Sequence, residues 1–146
     1  MVSLTHGEGF GRPLLEATMV GLPVMASAWS GQLDFLDTES SMLIGGELQN
    51  IPESQVWEDI LISETKWFVV DEDQVYKVFN FAFENKHEIK NKAESLMYAN
   101  REKFTLNNMA KVLDEIIERH MKDIPKQVSI KLPKLKKSKP KVEIEE

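Results

Sequence analysis

Three features of the sequence predict an α/β fold with a parallel sheet. A short apolar stretch at residues 2–4 (VSL) runs into a loop at residues 5–11 (THGEGFG) that holds three glycines in seven positions. A helical pattern follows at once, from Pro13 through Leu14, Leu15, Ala17, Thr18 and Met19 to a stop at Gly21. Residues 22–27 (LPVMAS) then form an apolar run too short for a helix and suited to a strand buried on both faces. Strand, glycine loop, helix and strand in close succession make a βαβ unit, whose crossover is right-handed.

Each element has a local reason. Pro13 suits the first helical turn, where its missing N–H has no partner to lose. Gly21 suits the residue just beyond the helix, which often takes a left-handed conformation. Residues 29–36 (WSGQLDFL) read as a loop entering a short turn or helix, and residues 41–44 as a further strand. Residues 45–64 show no period and are read as irregular, and residues 67–70 as a strand or extended segment. Asp71 and Asp73 supply helix-start chemistry. Val75, Val78, Phe79, Ala82 and Phe83, continued by Ile89, Ala93, Leu96 and Met97, make one helical stripe that is expected to face the sheet. Thr105 is expected to cap a second helix that buries Met109, Val112, Leu113, Ile116 and Ile117 and ends at Pro125. The expected organisation is therefore a domain over residues 1–125, ending in two C-terminal helices, and a Lys-rich tail over residues 126–146. That tail is read as extended or disordered, with QVSIKL at residues 127–132 leaving room for one docked strand.

Composition excludes several classes. There are 146 residues, 42% of them hydrophobic, enough for one domain with a core. With no cysteine, disulfides, thiolate metal sites and a cysteine nucleophile are ruled out. No run reaches the roughly 18 apolar residues of a membrane span, and the first ten residues lack the features of a signal peptide, so a cytoplasmic protein is expected. The net charge is −6, from 18 basic and 24 acidic residues. Seven of the lysines and three of the glutamates lie from Lys126 onward, which leaves an acidic body and argues against a nucleic-acid partner.

The chemistry concentrates in residues 8–16 (EGFGRPLLE). Glu8 lies in the glycine loop and Glu16 in the first turns of the helix. A loop that folds back can bring both carboxylates to one pocket. Gly9 and Gly11 permit close approach of a ligand to the backbone. The N–H groups that open a helix lack internal partners and carry the positive end of its dipole. Carboxylates accept well from paired hydroxyls, and the N–H groups of helix N-termini donate well to phosphates. The plainer alternative is that both glutamates only stabilise a helix start.

The stretch HGEGFGRPLLEATMVGLPVMASAWSG resembles the donor-binding signature of the retaining GT-B glycosyltransferases (group 1, family 4-like). The matching elements are Glu8 and Glu16 with seven residues between them, Gly9-Phe10-Gly11, Gly21-Leu22-Pro23-Val24, Ala26-Ser27, and Ser30-Gly31. Ser30 stands where that signature usually has a second glycine, and Asp34 where it has an acidic residue. The resemblance covers about residues 3–36. It implies that this is the later half of a Rossmann-like GT-B C-terminal domain, followed by the two helices and the tail. It further implies a nucleotide-diphosphate sugar as donor, an unknown acceptor and no bound metal or other cofactor. Glu16 would bind the ribose hydroxyls. Glu8 would be the catalytic-site carboxylate beside the transferred sugar, without being assigned as a nucleophile. The amides of Gly9, Phe10 and Gly11 would meet sugar hydroxyls or the diphosphate.

In that family the Arg and Lys that neutralise the diphosphate lie upstream of the signature, as does the acceptor domain. The chain alone is therefore expected to be catalytically incomplete, and a missing N-terminal region or partner chain is expected. The alternative is a non-catalytic truncated module that binds a nucleotide sugar or another protein. Further candidates are Arg12, the only cation close to the motif in sequence, and Ser30 and Gly31 in the second loop. His6 is another, able to touch the sugar, carry a proton or simply make a loop hydrogen bond. His87 and His120 fall on helix faces read as exposed, and no histidine sits at metal-ligand spacing from acids.

Overall fold

The structure, a computed structural model, describes residues 1–121. The readings made above for the tail from residue 126 lie outside the described residues. The chain divides into two units, Met1–Ala110 and Lys111–Glu146. The first contains a three-stranded parallel sheet in the order β1 (Val2–Ser3), β2 (Met25–Ser27), β3 (Met42–Ile44). Register is fixed by the pairs Ser3↔Ala26 and Ala26↔Leu43. All three residues of β2 are buried, as an apolar run in a central parallel strand requires.

Helix α1 (Arg12–Met19) links β1 to β2. Gly11 opens it at φ 78°, a left-handed conformation that disfavours side chains with a Cβ. Gly21 closes it at φ 72°, donating its N–H to Thr18 O at 2.9 Å while the Leu22 N–H reaches Ala17 O at 3.0 Å, the paired bonds of a Schellman C-cap. Leu14, Leu15, Ala17 and Thr18 face inward and join Val24, Ala26, Phe35, Leu36 and Leu96 in the core.

After a 3-10 turn at Gly31–Asp34, the chain forms β3 and then an antiparallel pair, β4 (Gly46–Asn50) with β5 (Lys66–Val70). This pair corrects the reading of residues 45–64 as irregular. All five residues of β4 are exposed, so the strand has no buried face to impose a period and is held by its backbone ladder. Gly46 is needed there, because a Cβ would lie 2.1 Å from the Val69 carbonyl oxygen.

Three helices follow: α2 (Glu72–Glu84), α3 (Lys86–Lys103) and α4 (Leu106–His120). The expectation of two C-terminal helices is corrected at Asn85. Its backbone leaves helical geometry at φ −113° and ψ 39°, and its amide Nδ2 donates to the Phe81 carbonyl at 2.8 Å. That local bond competes with continuation of the helix. The expected caps are present: the Asp71 carboxylate accepts from the Gln74 N–H at 3.0 Å, and Thr105 Oγ1 from the Asn108 N–H at 3.1 Å.

The expected burial holds for Ala93 and Leu96 of the first stripe and is corrected for the aromatic residues of α2 and for the stripe of α4. In α2, Val75 and Val78 are half-buried, whereas Phe79 and Phe83 are exposed. It is α3 that packs on α1, through Ala93, Leu96 and Asn100. Met109, Val112, Leu113, Ile116 and Ile117 of α4 are all at least 41% exposed. No described helix is long and apolar enough to cross a membrane.

Candidate functional site

Residues 5–11 leave the carboxyl end of β1, and residues 28–31 leave the carboxyl end of β2, the neighbouring parallel strand. The two loops meet, at the edge of an open α/β sheet where ligands characteristically bind. Ser30 fastens them. Its Oγ accepts from the Glu8 N–H at 3.1 Å and donates to the Glu8 carbonyl, which also accepts from the Gly31 N–H at 3.0 Å. At Gly31 a Cβ would stand 2.1 Å from the Gly9 carbonyl oxygen, so the second loop admits the first only because that side chain is absent.

Ser30 holds φ 76° and ψ −159°, a region occupied almost exclusively by glycine and costing a side-chain-bearing residue about 1–3 kcal/mol. The hydroxyl bracket around the Glu8 peptide offsets that strain. Removing the hydroxyl while keeping a Cβ leaves strain without compensation. Ser30→Ala is therefore expected to be less stable than Ser30→Gly by about 1 kcal/mol, although alanine is nearer in size to serine. Denaturant titration of the two variants checks this, and the reverse order would refute the bracket.

Beneath the loops lies a buried polar cluster. Gln32, fully buried, donates from Nε2 to Ser27 O at 2.9 Å and Ser27 Oγ at 3.1 Å, and Ser27 Oγ donates to the Thr5 carbonyl at 2.9 Å. This chain ties β2 to the start of the glycine loop. Its polar character gives no period in the sequence, and nothing in the reading of residues 29–36 marked Gln32.

With the loop so held, the amides of Gly9, Phe10, Gly11 and Arg12 donate to no group among the described residues. Pro13 has no N–H, and the Leu14 N–H is taken by the Gly11 carbonyl at 2.9 Å. Gly11 is itself buried, so the exposed residues of this row are Gly9 and Phe10 in the loop and Arg12 at the first helical position. The Phe10 ring, 38% exposed, lies 5.3 Å from that of Phe35 and 6.0 Å from that of Phe104.

The two glutamates have no partner in common. Glu8 is half-buried, and its carboxylate makes no hydrogen bond or ion pair with a described residue. Glu16 accepts from Arg12 Nε at 2.9 Å across one helical turn, with side chains 62% and 84% exposed respectively. So exposed an i,i+4 pair contributes about 0.3–0.5 kcal/mol, and a ligand hydroxyl can displace it at small cost.

His6 lies against β5. Its Nδ1 is 2.7 Å from the Phe68 carbonyl, its carbonyl accepts from the Phe68 N–H at 3.1 Å, and its ring stacks on Trp67 with centroids 4.0 Å apart. Trp29 stacks on Phe68 at 5.7 Å. The hairpin is therefore part of the wall beside the glycine loop, a neighbour that no local pattern in residues 45–70 announced. A separate cavity of about 220 Å³ opens near the amino ends of β2 and β3, between Pro23, Ser41, Val78, Phe81 and Ile89. Among the described residues no group of three or more His, Cys, Asp or Glu is placed to hold a metal ion.

These features define a mixed α/β protein with paired loops at the carboxyl edge of a small parallel sheet. No protein-family model matches the chain, and no curated protein matches its sequence.

Proposed function

We propose that the chain is the donor-binding part of a retaining GT-B glycosyltransferase, which transfers a sugar from a nucleotide-diphosphate sugar to an acceptor. The observation that carries this reading is the row of amides at Gly9, Phe10 and Arg12, in a loop seated by the Ser30 bracket and without partners among the described residues, at the carboxyl edge of the sheet. Fixed donors lose little freedom on binding and suit anionic or hydroxyl oxygens. The half-buried Glu8 carboxylate, beside those amides in sequence, suits sugar hydroxyls, and the exposed Glu16 suits a ribose diol once Arg12 lets go. Arg12 is then free to approach the diphosphate.

Full catalysis needs more cationic charge on the diphosphate than Arg12 supplies. It also needs an acceptor site. Both are assigned to an upstream region or a partner chain. In support, β1 has no neighbour on its outer side among the described residues, and Val2 there is exposed.

Binding tests the proposal. Titration of the full chain with UDP-glucose, GDP-mannose and ADP-glucose is expected to shift the Gly9, Phe10 and Gly11 amide resonances for at least one donor. Glu16→Ala is expected to weaken that binding about three- to tenfold, the effect of one lost hydrogen-bonding group, while leaving the fold intact because its carboxylate is exposed. Absence of shifts with all three donors would refute the proposal. Binding without transfer, even after an upstream half is supplied, would favour the non-catalytic module.

A further inference from the structure

We infer that His6 is a ligand-recognition residue of the glycine loop, locked in the Nδ1–H tautomer so that its Nε2 accepts a hydrogen bond from a hydroxyl of the bound sugar nucleotide. The inference rests on the functional reading above for the ligand, but on the structure for the tautomer. A carbonyl oxygen can only accept. At 2.7 Å from the Phe68 oxygen, Nδ1 must therefore carry the proton. In the neutral ring the lone pair then lies on Nε2, which has no partner among the described residues.

The ring has little freedom to choose otherwise. Its plane lies within 10° of the Trp67 ring, and the His6 backbone is fixed to the same residue of β5 by the Phe68 N–H. A surface histidine with a structural role alone needs one of these restraints. Here three act together, and they fix the direction of the nitrogen they leave unused. His6 is exposed and lies two residues before Glu8, on the loop whose amides await a ligand. Donors on the amides and an acceptor on His6 are complementary to a hydroxyl-rich ligand, whose groups both give and take hydrogen bonds.

The test combines ring-nitrogen NMR with two variants of the full chain, all at a pH where the free imidazole is neutral. His6→Asn places an amide nitrogen near the Nδ1 position, keeps the donation to Phe68 and removes the Nε2 acceptor. His6→Gln returns an acceptor near Nε2. The wild-type His6 signals, identified by their loss in His6→Asn, are expected to show a protonated Nδ1 and a bare Nε2. Addition of UDP-glucose, GDP-mannose or ADP-glucose is expected to move Nε2 together with the loop amides. His6→Asn is expected to bind the same donor about three- to tenfold more weakly, with partial recovery in His6→Gln, which loses the same stacking on Trp67 and so controls for it.

Loop amides that shift while Nε2 stays still would overturn the role of His6 and leave the donor site standing. A protonated Nε2 in the free protein would overturn it on structural grounds alone. If neither amides nor Nε2 respond to any donor, both readings fall.

Discussion

Gly31→Ala is expected to destabilise the protein by about 3 kcal/mol, at the upper end of the usual cost of overpacking. The new Cβ would stand 2.1 Å from the Gly9 oxygen, 2.7 Å from the Gly9 carbonyl carbon and 2.8 Å from the Phe10 Cα. All three are backbone atoms, so no side chain can swing aside. The glycine loop must lift off its neighbour, breaking the Ser30 bracket and the Gly31 N–H bond to Glu8. The loop amides would lose their seating, and the donor binding proposed above would be expected to fall with stability. Gly9→Ala is the matched control in the same loop. A Cβ there meets nothing within 4 Å and the backbone is not left-handed, so its stability should stay within about 0.5 kcal/mol of wild type. Thermal melts of the two variants decide the matter. Equal melting temperatures would mean that the loops do not seat on each other as described.

Asn100→Asp is expected to cost about 3 kcal/mol at neutral pH, although it changes one atom. Asn100 is 3% exposed, and its Nδ2 donates to Thr18 Oγ1 at 2.9 Å and to the Phe35 carbonyl at 3.1 Å. It is the buried member of a lace that binds the end of α3 to the rest of the unit, beside Arg101 on the Met19 carbonyl and Lys103 on the Asp34 carbonyl. A carboxylate in that position presents only acceptors to a carbonyl oxygen. It also buries a charge without an opposite partner among the hydrogen bonds described. Burial raises the folded-state pKa of such a group above its unfolded value. The penalty is then fully present above the folded pKa, shrinks as pH falls through it, and is gone below the unfolded value. Urea titrations of Asn100→Asp across that range check the sign, with Asn100→Ala as the uncharged comparison, expected to lose about 2 kcal/mol at any pH. A pH-independent loss in Asn100→Asp would show that no buried charge is formed.

Much of the first 36 residues was legible because their signals are local. Gly11, Pro13 and Gly21 punctuate α1 through backbone torsions that neighbouring residues cannot alter, and the apolar run at residues 22–27 contains its buried strand whatever surrounds it. The caps at Asp71 and Thr105 were readable for the same reason, since a cap forms between residues three apart. What was missed depends on distant partners. β4 is polar and wholly exposed, so only its pairing with β5 makes it a strand. The stripes of α2 and α4 predicted burial, but periodicity states that a helix has an apolar face and not that another element covers it.

The sequence by itself determined the βαβ unit and the glycine loop, because torsional preferences and short-range hydrogen bonds settle them within a turn or two of chain. Only the tertiary structure decided how the residues of that loop stand. Ser30 and Gly31 fix the loop, the Phe68 carbonyl holds His6 Nδ1, and Trp67 stacks on the His6 ring. Each of these contacts joins residues more than twenty positions apart. Their register is set by sheet pairing and core packing together, and no window along the chain contains both partners.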